Sequence, residues 1–226
     1  MLRLFTYCLI LCFITLIGCK SDKDNVVRPN LNYNYAGLSV GNYVIYNVDS
    51  IYYNDFNNTV DTFQYQIKEK LESQITDLQG DPAYRIERYK KHNDSIHWEL
   101  VDVWNSKIST TNYQKVEENI RYVKLIFPVR ANKTWDGNNF NNEGQMMYEY
   151  TSVHQSENIG GHALDSVATV IQQNDVNLIS QQLYEEKFAT NIGMVYQKRL
   201  NRKRANLSAP WLGFDVTMIL ATYGNE

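Results

Sequence analysis

Tyr43-Val44-Ile45-Tyr46-Asn47-Val48-Asp49-Ser50-Ile51-Tyr52 is a run dominated by aromatic and β-branched side chains, with neither glycine nor proline inside it. Residues of this kind pack well on a pleated, half-buried surface, so the run predicts a long strand. The same period of two continues outward from it. Phe63, Tyr65 and Ile67 alternate with Gln64 and Gln66, and Tyr84 and Ile86 with Arg85 and Glu87. Ile96, Trp98 and Leu100 alternate with His97 and Glu99, and Val123, Leu125 and Phe127 share a face before Pro128 stops the strand. Residues 147–153, 164–171, 194–200 and 214–223 extend the series. Turn-prone clusters separate the runs, among them Asn54-Asp55-Phe56-Asn57-Asn58, Gln79-Gly80-Asp81-Pro82 and Asp136-Gly137-Asn138-Asn139. Residues 179–188 fit two patterns, since Ile179, Leu183, Tyr184 and Phe188 also line one helical face. The reading is an all-β antiparallel meander with at most one short helix. A meander of this many strands must curl or stack to bury one face. A barrel or strongly curved half-barrel does so, and a two-sheet sandwich is the alternative.

The other end of the argument is the beginning of the chain. Arg3 precedes an apolar run from Leu4 to Ile17, the layout of a secretory signal and too short for a spanning helix. Its close, Leu16-Ile17-Gly18-Cys19, resembles a lipobox, which implies that Cys19 becomes the acylated first residue of the mature protein. The expected organisation is a signal peptide over 1–18, a lipidated N-terminus and flexible tether over 19–36, and a single β domain over 37–226. Cys8 and Cys12 would leave with the signal, so the mature domain would have no disulfide and depend on packing alone. Lys20 is not the aspartate that signals inner-membrane retention, and Asp22 and Asp24 resemble a surface-export signal, so the expected address is the outer membrane.

Composition narrows the chemistry. A 226-residue chain with 43% hydrophobic and 21% charged residues is globular, and its net charge of -3 offers no field for nucleic acid. The 17 tyrosines suit half-buried strands and binding surfaces alike. No pair among His92, His97, His154 and His162 has metalloprotease spacing, so neither metal nor cofactor is expected. His162, Asp165 and Ser166 lie too close in sequence to converge as a catalytic triad, and no nucleophile-elbow motif occurs. The loop from Trp135 to Glu143 lacks the ligand alternation of a calcium site. There Trp135 either tucks against the core or forms a binding lip with Asp136 and Asn138. Lys198, Arg199, Arg202, Lys203 and Arg204 form the one dense basic run. It reads as a solvated hairpin edge, with contact to lipid phosphates or acidic polysaccharide as its functional alternative. Ser50, Ser95 and Ser166 each sit in an Asp-Ser-aliphatic triplet that resembles a Bacteroidetes O-glycosylation acceptor.

Gly41-Asn42-Tyr43-Val44-Ile45-Tyr46, Lys133-Thr134-Trp135-Asp136-Gly137-Asn138, Lys187 to Tyr196 and Gly213 to Leu220 resemble stretches of uncharacterised β-rich outer-membrane lipoproteins of Bacteroidetes type. That resemblance implies secretion, an antiparallel β domain and a non-enzymatic role, and it carries over no catalytic residue. The expected function is a lipid-anchored binding or accessory module, tied to the membrane through its N-terminal lipid and taking an apolar, lipid or glycan ligand. A structural subunit with an envelope protein partner is the alternative, and a hydrolase the third reading.

Overall fold

The computed structural model describes residues 30–92 and 96–226. The signal peptide, Cys19 and Ser95 lie outside the described residues. Twelve strands run along the described chain: β1 (Asn42–Tyr53), β2 (Val60–Thr76), β3 (Pro82–His92), β4 (Glu99–Ile108), β5 (Asn112–Glu117), β6 (Ile120–Ile126), β7 (Thr134–Asp136), β8 (Met147–Ile159), β9 (His162–Val176), β10 (Ser180–Ala189), β11 (Gly193–Lys203) and β12 (Leu212–Asn225). All ladders are antiparallel, and the sheet order is β6-β5-β4-β3-β2-β1-β12-β11-β10-β9-β8-β7. Each strand thus pairs with its neighbour in sequence, β1 closes on β12, and only β6 and β7 share no ladder. The result is a nearly closed barrel, the first of the two expected closures. Its seam is bridged by the Val123 N–H, which donates to the Gly137 carbonyl at 2.8 Å, and by the Trp135 indole N–H, which donates to the Val123 carbonyl at 2.8 Å.

Of residues 179–188, all but Ile179 are strand, and none is helix. β10 has a ladder on both sides, to β9 and to β11, and pairing on two edges overrides a helical period in one segment. Ile96 and Trp98 precede β4, with Ile96 85% exposed. The basic run is not an edge either, because β11 lies inside the sheet between β10 and β12.

The compact unit begins at Leu31, six residues ahead of the expected boundary. Tyr35 sits in a short 3-10 turn (Tyr33–Ala36) and is fully buried, with its hydroxyl 2.7 Å from Ser166 Oγ and 2.9 Å from His154 Nδ1. Tyr33 packs edge-on against Phe127, and Gly37 turns at φ +64°. A Cβ on Gly37 would fall 2.4 Å from the Ile192 backbone, so only glycine lets this segment lie against the β10–β11 turn. Two apolar clusters result. One gathers Tyr35, Leu125, Phe127, Trp135, Tyr150 and Phe188, and the other Val44, Tyr46, Val48, Ile67, Val195 and Leu220.

Bulges interrupt the alternation repeatedly. Leu125 pairs with Tyr113 but Val123 with Gln114, so Lys124 is the extra residue on β6. Gln173 pairs with Tyr184 but Ile171 with Glu185, so Gln172 is the extra residue on β9. The β8–β9 ladder shifts register three times, and His154 within it has φ +57°. Bulges of this kind re-aim side chains and are common beside sites.

Candidate functional site

Lys124 and Gln172, the two bulge residues, both face the barrel interior and line the same chamber. Around Lys124 runs a chain of alternating charges that crosses the barrel. Arg88 of β3 lies 3.6 Å from Asp102 and 3.3 Å from Glu69. Glu69 meets Lys115 at 2.8 Å, and Lys115 meets Glu117 at 3.5 Å. Glu117 in turn lies 3.4 Å from Lys124, which meets Glu186 of β10 at 2.5 Å. The Gln197 amide donates to the same Glu186 oxygen at 2.9 Å. Arg88 and Lys115 also sit over the Trp104 ring, at 4.3 and 4.9 Å.

Burial alone would raise the Glu117 carboxyl, but the ammonium groups of Lys124 and Lys115 outweigh it and hold the group down at about 2. Burial would likewise lower Lys124, yet Glu117 and Glu186 raise it well above the ordinary lysine range. Lys115 moves up for the same reason, through Glu69 and Glu117. Tyr148 beside them is raised chiefly by burial. Glu117, Lys115 and Lys124 therefore stay ionised across the physiological range, and Tyr148 stays neutral.

Two open-mouthed chambers adjoin this chain, of about 220 Å³ and 290 Å³, and share Glu117, Tyr122, Gln197 and Arg199. Together they fall in the size range of small-molecule sites, about 300 to 1,000 Å³. Tyr122, Tyr148 and Tyr184 wall the first and Trp104 the second. Glu186 is 1% exposed, and its Oε2 has no hydrogen-bond partner among the described residues. The Gln172 and Trp104 nitrogens are unpartnered in the same way. A buried polar atom left without a partner is costly, and Glu186 and Gln172 both belong to the lining of the first chamber.

The structure distributes the other predicted residues elsewhere. Trp135 is 7% exposed and in strand β7, against Tyr150, so it belongs to the core and forms no lip. Asp136 accepts the backbone N–H groups of Asn138 and Met146, and Asn138 donates to the Gly144 carbonyl at 2.7 Å; both shape their own loop, and Asn138 also lines the first chamber. Lys198 pairs with Asp215 at 2.5 Å, while Arg202 and Arg204 flank the Trp211 ring at 4.7 and 4.4 Å. Arg202 also donates to the Tyr53 hydroxyl at 2.6 Å, and Lys203 is exposed on the outside. Only Arg199 of the basic run reaches the chambers.

Ser50 is held in β1 between β2 and β12, and Ser166 is engaged by Tyr35. His162 donates to the Ala221 carbonyl at 3.0 Å, so His162, Asp165 and Ser166 are not assembled for catalysis. His92 ends β3, His97 lies in a bend before β4, and His154 is in β8. No group of three metal-ligating residues occurs among the described residues. The interior charges escaped a period-two reading because Lys115 and Gln114 are buried on a strand that looks solvent-facing, and because Lys124 and Gln172 stand at bulges.

No family model and no curated protein sequence matches the chain. Among solved structures, it is similar to a Bacteroides fragilis protein provisionally described as exported, with a YMCC-like fold. The TM-score is 0.45 at 9% identity, over 83% of this chain and 97% of that one. It is also similar to a Parabacteroides distasonis protein provisionally described as a lipoprotein, at TM-score 0.45 and 8% identity, over 87% of this chain and 100% of that one.

Proposed function

We propose that the protein is a lipid-anchored, non-enzymatic module of the cell envelope, placed at the outer membrane, that holds a saccharide inside its barrel. One observation carries this reading: the unpartnered Glu186 Oε2 and Gln172 Nε2 border one chamber walled by three tyrosines. A sugar ring presents hydroxyls that both donate and accept, together with an apolar face that stacks on aromatic rings. An acyl chain fits less well, since it would leave the charged wall desolvated and unpaired. The ammonium clamp favours binding over catalysis, because a carboxyl held at about 2 is no general acid near neutral pH.

The test is titration of the acylated protein with an oligosaccharide panel, scored by calorimetry and by product analysis. Binding without cleavage is expected, with Glu186→Gln and Gln172→Ala each weakening it about 10-fold or more. Absence of any saccharide binding, or recovery of a bound lipid by native mass spectrometry, would refute the reading. The anchor is tested separately: a palmitate analogue should label the wild type and spare Cys19→Ser.

A second reading, docking on an outer-membrane assembly, draws on the exposed hairpin tips Phe56, Leu178 and Leu207, which are 95%, 71% and 61% exposed. Crosslinking in the native envelope through cysteines at those tips would support it by capturing one defined envelope protein.

A further inference from the structure

Four cations belong to this interior: Arg88, Lys124 and Arg199 line the two chambers, and Lys115 stands in the same chain of charges. Three of them are ion-paired within the fold, since Arg88 meets Glu69 and Asp102, Lys115 meets Glu69 and Glu117, and Lys124 meets Glu117 and Glu186. Arg199 makes no ion pair among the described residues, and its guanidinium sits over the Tyr184 ring, 5.3 Å from the centroid. Glu117, which feels the charge of Arg199 without pairing to it, is already held between two ammonium groups at 3.4 and 3.5 Å. Glu143 lines the same chamber without pairing to it.

The register explains how this guanidinium is presented. Arg199 lies directly opposite Tyr184 across the β10–β11 ladder, and two positions along that ladder Glu186 lies opposite Gln197. Arg199, Tyr184, Glu186 and Gln197 therefore stand side by side on one wall, with Gln172 beside them from β9. A guanidinium over an aromatic ring keeps its planar fork oriented, which suits two parallel hydrogen bonds to a carboxylate. The wall then offers a cation at one end, and an unpartnered acceptor and donor at the other.

We infer that the bound saccharide is acidic and that Arg199 receives its carboxylate, while Glu186 and Gln172 read neighbouring hydroxyls. This rests on the saccharide reading above and narrows it to uronic-acid sugars. The other three cations each sit against carboxylates of the fold, so Arg199 is the one guanidinium of the first chamber whose fork is free to pair with an incoming carboxylate.

The experiment compares trigalacturonate, maltotriose and a sulfated trisaccharide by calorimetry on the acylated protein. Trigalacturonate should bind best, with affinity that falls as salt rises. Arg199→Gln should cost it about 10-fold or more and leave maltotriose unchanged, and Arg199→Lys should recover only part, because an ammonium cannot form the paired bonds. Arg199 is exposed, so an unchanged melting temperature in these variants separates recognition from folding. Equal binding of maltotriose and trigalacturonate, both indifferent to Arg199→Gln, would overturn this inference and leave the saccharide reading intact. Preference for the sulfated sugar would overturn the carboxylate assignment. Binding of none of the three would overturn both.

Discussion

Glu117→Gln removes the one carboxylate shared by Lys115 and Lys124 while keeping the shape of the side chain. In the folded protein the carboxyl is held at about 2, against an ordinary value of 4.5. Each unit of difference is about 1.4 kcal/mol, so the clamp contributes up to about 3 kcal/mol. The folded value is the depressed one. The stabilisation is therefore fully present above pH 4.5 and fades as pH falls toward 2. At pH 3 about 2 kcal/mol of it should be gone. Urea unfolding followed by tryptophan fluorescence, at pH 7 and pH 3, measures this directly. Wild type should exceed Glu117→Gln by about 3 kcal/mol at pH 7 and by only about 1 kcal/mol at pH 3. A gap that is absent, or equal at both pH values, would refute the claim that the two ammonium groups clamp Glu117.

Three further outcomes follow from other parts of the barrel. Tyr35→Phe should cost about 1 kcal/mol through its three lost hydroxyl contacts, and Tyr35→Ala about 3 to 5 kcal/mol through the cavity, both read from chemical denaturation. Gly37→Ala should release the segment before β1, seen as faster amide exchange at Tyr35 and Asn191, whose N–H donates to the Asn34 carbonyl at 2.8 Å. Lys107 donates to Asp77, Gln79 and Asp81 at 2.7 to 2.9 Å, and its hydrogen bond is the main reason Asp77 titrates at about 2. Lys107→Met should bring the Asp77 titration up toward its ordinary 3.8, measured by NMR.

Strand period carried the sequence reading a long way. Tyr43 to Tyr52 lies wholly inside β1, and Val44, Tyr46 and Val48 point to the core as their spacing implies. That inference works where inward positions are apolar. It failed at β5, where Gln114 and Lys115 are buried and the strand looks like a polar loop. It also failed wherever a bulge adds a residue, as at Lys124 and Gln172, because one insertion moves later side chains to the opposite face. The candidate site is built from those two kinds of position, so it was nearly invisible. Arg199 was singled out for charge density alone, with no sign that it differs from Arg202 and Arg204 beside it. Those two are tied down by Tyr53, Gln181 and the carbonyls of Leu178 and Leu207, partners that a local reading of the run does not supply. Trp135 was legible as one of two alternatives, and the choice fell to the seam that its indole bridges.

The incomplete closure between β6 and β7 leaves the side of β8 beyond Tyr150 without a ladder partner among the described residues. A straight open edge would invite a second copy to add its own strand and grow into aggregates. Here three register shifts and the left-handed backbone at His154 crook that margin, and the His154 amide already donates to the Tyr35 hydroxyl at 3.3 Å. The irregularities that spoil the pleat thereby deny a template to intermolecular pairing along the unsealed side of the barrel.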